Sequence, residues 1–440
     1  MRCAVCDADN KWTNVDQFRL RKVDDKGKPI NMCQCDECGF VSYPSKYQSE
    51  EEIKEHYRSS YRTAPQATAL FTGERKLQYH NFFLTPLFEK WEKAGLENPV
   101  IGEIGSAYGM LLNWIRQQVP GAEVHGTELT TTYKRVAFHE YGLRLTDDLD
   151  MTKKYDLMIS YHVLEHQLDP DKRLKEYAAC LKDNGIFYLS CPIWFRELSN
   201  SGGAGFDIEW YWAPDHINAW SEEHLEEVIA KAGLEIIMRN TEVYGNTYIL
   251  KKATKPYEKK TFDAAKYKRD IEKIFKAWKL LQENKCKEAI EVWPNLPTAW
   301  VNHYEYNRSE FHKSREETNK YLQATLDACP NSSDASLYVA DILTRYERYD
   351  EAFEVLSRGL KKKPNSPQML MGIANCYRMK AMKEQDQKKK SELYAKSVNT
   401  LRFLLNVSSE SLSQALTWIY ADEANLPIPE LAESDARHSP

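Results

Sequence analysis

The chain has 440 residues, of which 42% are apolar and 28% charged, and its formal net charge is −5. That length exceeds one ordinary hydrophobic core, so two or three domains are expected. The composition is that of a globular chain, and the slight acidic excess removes the electrostatic basis for gripping a phosphate backbone, so no nucleic-acid partner is expected. No stretch approaches the roughly 18 consecutive apolar residues of a membrane helix, and Met1-Arg2-Cys3 opens no apolar leader, so the expectation is a cytoplasmic protein without a membrane partner.

Five of the ten cysteines, Cys3, Cys6, Cys33, Cys35 and Cys38, fall in the first segment, residues 1–45. Clustering of this kind points to metal rather than to a chain-wide disulfide framework. Cys3-x-x-Cys6 and Cys35-x-x-Cys38-Gly39 are two knuckles separated by 28 residues, a spacing that suits a structural zinc ion in a ribbon. Cys33 is the surplus thiol, either spare or a substitute for Cys35. A redox role would need a thioredoxin-like βαβ setting that is missing. Residues 46–80 are polar and read as a connecting segment.

From Asn81 to Lys252 the pattern alternates helix and strand. An amphipathic helix ends near Gly95, a buried strand runs to Gly105, a helix starts at Gly109, and a second strand ends at Glu128. After a helix over 130–142 comes a short strand, Leu143 to Thr146, then strands over 155–162 and 185–192 with a helix between them, a helix over 221–233, and two closing strands. Such alternation builds a mostly parallel sheet with helices on both faces and a ligand across the carboxyl ends of its strands. Residues 261–432 read as helix throughout, with Pro-Asn pairs at Pro294, Pro330 and Pro364 spaced 36 and 34 residues apart, the period of a helix-turn-helix repeat. The unit after Ser333 resembles a tetratricopeptide repeat, with Ala340 at a helix crossing, Ala352 opening the second helix and Pro364 ending it. The next copy keeps Ala374 and Tyr377. Residues 433–440 are expected to be a disordered tail.

The segment Gly102 to Gly109 follows an apolar strand and precedes an amphipathic helix. Gly105 suits a turn with positive φ, Gly109 a close helix–strand approach, and the loop amides suit an anionic ligand group. Its spacing is not G-x-G-x-x-G, which disfavours a nicotinamide dinucleotide. Glu128 ends the second strand where a carboxylate accepts both ribose hydroxyls, with Leu129 beside it. Asp147 and Asp148 are candidates for the adenine amino group, against the alternative of a plain turn.

The block from Tyr155 to Pro192, with Val-Leu-Glu-His at Val163 to His166 followed by Asp169-Pro170, resembles the fourth-strand to fifth-strand block of class I S-adenosylmethionine (SAM) methyltransferases that act on small molecules and sugars. The resemblance spans about Pro99 to Leu250, with Ala107 where many members carry a second glycine. It implies SAM as cofactor, with Glu103 at its amino group and Gly105, Ala107, Gly109, Glu128, Leu129, Asp147, Asp148 and His162 around it. A ribbon ahead of such a core is similar to the sugar C-methyltransferases of deoxysugar biosynthesis and to methyltransferases of polysaccharide assembly, which implies that Tyr57 and Tyr61 face the pocket. That group has Tyr-x-Glu-His before the last core helix. Here Ala213-Pro214-Asp215-His216 stands there, Ala213 replaces the tyrosine, and helical repeats replace a second Rossmann-like domain, so O-methylation is favoured over C-methylation.

The expected fold class is therefore α/β, a Rossmann-like class I methyltransferase core with an N-terminal zinc ribbon and an all-α C-terminal helical-repeat domain. An acceptor hydroxyl must lose its proton. His216, oriented by Asp215, leads as base, with His166 and His162 as competitors and Glu165 read as a helix-start carboxylate. No Asn/Asp-Pro-Pro-aromatic motif follows the fourth strand, and Cys191 is read as packing rather than as a nucleophile. The expected acceptor is a sugar, nucleotide-sugar or glycan, with the repeats holding a protein partner or a second copy. The competing reading is a protein methyltransferase, or a scaffold whose repeats bind a protein segment.

Overall fold

The computed structural model describes residues 2–9, 11–15, 32–43, 49–59, 80, 83–193, 216–241, 246–311, 313–330, 332–362 and 366–407, with single residues at 415, 418, 419 and 422. Its two compact units are Met1–Ser332 and Ser333–Pro440. No helix among the described residues is long and apolar enough to cross a membrane.

In the first unit, strands β1 (Trp12–Asn14), β2 (Cys33–Cys35) and β3 (Val41–Ser42) belong to a small antiparallel sheet, and helix α1 (Glu50–Ser59) follows. After helix α2 (83–93) comes β4 (Val100–Ile104), α3 (Met110–Gln118), β5 (Glu123–Gly126), α4 (Thr131–Tyr141), β6 (Tyr155–Tyr161), a 3-10 turn (Leu164–His166), α5 (Pro170–Cys180) and β7 (Leu181–Cys191). Then follow β8 (Asn218–Ala219), α6 (Glu222–Lys231), β9 (Leu234–Thr241) and β10 (Asn246–Lys252). The large sheet has the order β5-β4-β6-β7-β10-β9. Its first four strands are parallel, and β10 runs antiparallel between β7 and β9. The strand expected over Leu143 to Thr146 is reduced to one bridge, Thr127 to Thr146, because the chain turns at once into Asp147 and Asp148, both held by cations.

Sequence explains the local geometry. Strand β6 is buried from Tyr155 to Ser160, as a strand covered on both faces must be. Gly102 lies against the Tyr155 ring, where an added Cβ would stand 2.9 Å from Cε1, so any side chain there would have to displace that buried ring. Pro170 opens α5, and Ser221 caps α6 by accepting from the His224 amide.

The small sheet takes its fourth strand from the core. Its order is β1-β2-β3-β8, with Val41 opposite Ala219 and Ser42 opposite Asn218. Phe40 packs on Trp220 at 4.9 Å between ring centroids. Arg2 reaches Asp171 of α5 at 2.7 Å, and Lys231 of α6 reaches Asp7 at 2.6 Å. Helix α7 (Ala264–Gln282) crosses the same sheet: Ile271 and Ile274 join Met32, Val41 and Tyr43 in one apolar cluster, and Tyr267 fills the space over Gly39. Helices α8 (Cys286–Val292), α9 (Pro297–Tyr306), α10 (Arg308–Phe311) and α11 (Arg315–Ala328) complete the unit.

The second unit holds α12 (Ser333–Arg345), α13 (Tyr349–Lys362), α14 (Pro367–Lys383) and α15 (Gln387–Val407). Ala340, Ala352 and Ala374 are buried, and Tyr377 meets Phe353 at 5.3 Å between ring centroids. The charged stretch Lys-Glu-Gln-Asp-Gln-Lys-Lys-Lys at 383–390 is divided between the end of α14, the turn after it and the first turn of α15. Pro364 lies outside the described residues.

Candidate active site

A cavity of about 500 Å³ opens at the carboxyl ends of β4, β5 and β6. One end is built by the glycine loop. Gly105 has φ of 71°, and a Cβ there would stand 2.6 Å from Val163 Cγ2, so both conformation and space require glycine. Ala107 is also left-handed, with φ of 47°. Gly109 does not line the cavity; it packs behind it, where a Cβ would meet Leu143 and Ala137 at 3.0 and 3.2 Å.

Two carboxylates face this end. Glu103 is buried at the end of β4, with Oε2 accepting no hydrogen bond among the described residues. Burial, reinforced by the charge of Glu128, pushes its carboxyl up to about 8. Glu128 accepts from the Ala107 amide at 3.0 Å and from the Thr130 amide at 2.7 Å, which fixes its carboxylate at the mouth of the loop. Burial raises its pKa, against the pull of those amides. Leu129, Asp147, Asp148 and His162 line the cavity as well.

Asp147 and Asp148 are engaged from outside the core. Asp147 pairs with Arg58 at 2.6 Å and with Lys134, and its pKa is lowered chiefly by the hydrogen bond from Lys134. Asp148 pairs with Lys54 at 2.8 Å. Arg58 and Lys54 belong to α1, whose Glu50 also pairs with Arg173 of α5. Helix α1 is thereby clamped across the cavity, and its Ile53 and Tyr57 join the lining. Tyr57 stands edge-on to His166 at 6.1 Å. Tyr61 and Asp215 lie outside the described residues, as does the loop from Trp194 to Pro214.

The opposite wall is a carboxylate among imidazoles. His162 follows β6 directly with φ of 55°, a conformation disfavoured for a residue with Cβ, and its amide donates to Ser190 O at 3.0 Å. The 3-10 turn then buries Glu165 completely. His162 Nδ1 lies 3.5 Å and His166 Nε2 3.7 Å from Glu165 Oε1, and the His166 and His216 rings meet at 4.8 Å. Burial alone would raise the Glu165 pKa, but the three surrounding imidazoles outweigh it and bring it down to about 2. Glu165 lies in the first turn of that 3-10 helix, as a helix-start carboxylate does, and is also the centre of the polar wall. The spacing His-x-x-Glu-His at His162 to His166 was the sequence signal for it.

His216 reaches this wall through the small sheet. The Ile217 amide donates to Glu165 O at 2.9 Å, Ile217 O accepts from the Tyr43 amide at 2.7 Å, and Asn218 Nδ2 donates to Gln167 O at 2.6 Å. Sequence reading also missed His80, whose Nδ1 is 2.8 Å from the Tyr188 hydroxyl and whose ring borders Tyr161. Cys191 is wholly buried with its thiol pKa pushed well up, which fits packing.

At the other end of the small sheet, the sulfurs of Cys3, Cys6, Cys35 and Cys38 lie within 4.8 Å of one another, with Cys3–Cys38 and Cys6–Cys35 both at 3.6 Å. A tetrahedral zinc–thiolate centre with bonds of about 2.3 Å places its sulfurs about 3.8 Å apart, so the donor set fits that ion. Cys33 is not in the cluster; its thiol donates to Asn14 Oδ1 at 3.1 Å.

Comparison with known proteins places these features. Among curated proteins none matches the chain significantly. Solved structures with likeness include a SAM-dependent methyltransferase from Clostridium acetobutylicum (15% identity, 46% of this chain and 98% of that chain, TM-score 0.32). Magnesium protoporphyrin IX methyltransferase from Synechocystis is another (14% identity, 47% and 100%, TM-score 0.34). The mitomycin 7-O-methyltransferase MmcR is a third (14% identity, 36% and 49%, TM-score 0.29), and this chain spans about half the length of that enzyme. A family model described as a methyltransferase domain matches residues 83–238, which include the glycine loop, Glu128 and the Leu164–His166 turn. Residues 83–238 of this chain are accordingly similar to a methyltransferase domain.

Proposed function

We propose that the protein is a SAM-dependent methyltransferase acting on a hydroxyl of a sugar, nucleotide-sugar or glycan. The observation that carries this reading is the pair of carboxylates, buried Glu103 and half-buried Glu128, at the ends of adjacent parallel strands around a left-handed glycine loop, inside the matched segment. Glu103 offers a desolvated carboxyl oxygen to the cofactor's ammonium group, and Glu128 offers the ribose hydroxyls a carboxylate already oriented by two amides. Leu129 and Tyr133 give the adenine an apolar seat, with Asp147 and Asp148 at its edge. When bound, SAM supplies a methyl group made electrophilic by its sulfonium sulfur.

The acceptor's place is the remaining cavity, between α1 and the Glu165 wall. His216 and His166 are the residues proposed to activate the acceptor hydroxyl, with Glu165 balancing the positive charge that develops beside it. Tyr57 and Arg173 border that space and suit a polyhydroxylated acceptor better than an apolar one. Zinc held by Cys3, Cys6, Cys35 and Cys38 is proposed as a structural ion, and the helices of 261–432 as tetratricopeptide-like repeats that dock a protein partner or a second copy.

The test is incubation of the full chain with methyl-labelled SAM and separate pools of nucleotide-sugars, glycans and protein extract. Label in a sugar pool supports the proposal. Label confined to protein moves the acceptor to a polypeptide, and no binding of SAM at all overturns the reading.

A further inference from the structure

We propose that Glu165, His166 and His216, with His162 beside them, form a binding site for a divalent transition-metal ion at the acceptor end of the cavity. The inference rests on the methyl-transfer reading for its role but not for its geometry. One oxygen of Glu165 and one ring nitrogen each of His166 and His216 lie within 4.8 Å of one another. An ion with ligands at about 2.1 Å separates neighbouring donors by about 3 Å and opposite ones by about 4 Å, so the site closes with side-chain movements of about 1 Å or less.

The central observation is Glu165. It is wholly buried, and neither of its carboxylate oxygens accepts a hydrogen bond among the described residues. The imidazoles beside it already favour its ionised form, and a metal ion bridging it to them would supply the direct partner that its two oxygens lack. Two imidazoles and one carboxylate on one side, with an open cavity on the other, is a donor set for manganese, iron, cobalt or zinc rather than for magnesium or calcium. His162 Nδ1, at 3.5 Å from the same carboxylate oxygen, is placed to orient Glu165 or to become a fourth ligand. Its left-handed backbone is held by the hydrogen bond to Ser190 O, the kind of strain that persists where a side chain must point one way.

The ligands come from separate parts of the chain. Glu165 and His166 sit on the turn after β6, whereas His216 precedes β8, which pairs with β3 of the small sheet. An ion here acts as a Lewis acid on the acceptor hydroxyl. The hydroxyl proton leaves to water, the freed pair on oxygen forms the new O–CH3 bond, and the methyl–sulfur bond breaks with its pair to sulfur, giving S-adenosylhomocysteine (SAH). In that arrangement His166 and His216 activate the acceptor through the ion.

The experiment uses the full chain with SAH present, titrated with Mn2+ by calorimetry and with Co2+ by absorbance, where thiolate charge-transfer bands separate the cysteine cluster from a nitrogen and oxygen site. The expected result is one equivalent of Mn2+, or of Co2+ without thiolate bands, per chain. Affinity should fall at least about tenfold in Glu165→Gln and in His216→Ala, with SAH binding kept. His216→Ala, at the cavity edge, keeps the test valid if the Glu165→Gln variant, altered at a buried position, fails to fold. If the wild-type chain binds SAH yet takes neither ion outside the cysteine cluster, or if His216→Ala binds as wild type does, the metal site is refuted and the methyltransferase reading stands. If SAH itself does not bind, both fall.

Discussion

Replacing Glu103 by glutamine separates the cofactor's need for a charge from the fold's dislike of one. The folded carboxyl titrates at about 8 against an ordinary value of 4.5, because it is wholly buried beside Glu128. A carboxyl whose folded pKa is raised gives the native state its full stability below the unfolded value and loses it as pH rises towards the folded one. Between pH 4.5 and 7 this amounts to about 3 kcal/mol, at about 1.4 kcal/mol per pH unit. Glutamine keeps the shape and cannot ionise, so ligand-free Glu103→Gln should melt several degrees above the wild type at pH 7.5, with the gap narrowing at pH 5. SAH should reverse the order at pH 7.5, stabilising the wild type through its ammonium group and the variant much less. Thermal melts at the two pH values, with and without SAH, read all four conditions. A variant no more stable than the wild type at pH 7.5, or one that gains as much from SAH, would refute this account of Glu103.

Glu128→Ala removes the oriented carboxylate and should weaken SAH binding by at least about tenfold in a calorimetric titration, the range of a charge-assisted hydrogen bond. His216→Ala should lower turnover by about 10²- to 10⁴-fold while leaving SAH affinity unchanged, and undiminished turnover would move acceptor activation elsewhere. Gly105→Val forces a branched side chain into a left-handed conformation and against Val163, so a lower melting temperature and loss of SAH binding are expected together. If the cysteine cluster holds zinc as proposed, Cys35→Ser should lower both the zinc content and the melting temperature, whereas Cys33→Ser should keep the metal content of the wild type, since of the two only Cys35 is in the sulfur cluster. Equal metal loss in both would place Cys33 among the ligands.

Periodicity made the core legible. The apolar runs over 100–104 and 155–161 became buried parallel strands, and the helices between them fell where amphipathic spacing placed them. The exception was Leu143 to Thr146, where two adjacent aspartates seek cations and leave room for a single bridge. Glu165 is where the sequence reading fell furthest short. Next to a helix start an acidic residue is ordinary, and only the turn that buries it, the strain at His162 and the arrival of His216 from beyond β7 turn it into the centre of a site.

The sequence by itself determined the Rossmann-like sheet with its helices, the all-helical C-terminal region, the glycine loop with its two strand-end carboxylates, and the two cysteine knuckles, because each depends on residues close together in the chain or on a repeating period. Tertiary structure alone decided which of the five N-terminal cysteines converge, that α1 clamps the cavity through Arg58 and Lys54, and that the small sheet delivers His216 to Glu165. These are contacts between distant segments, selected by burial and charge pairing in three dimensions, and no local pattern encodes them.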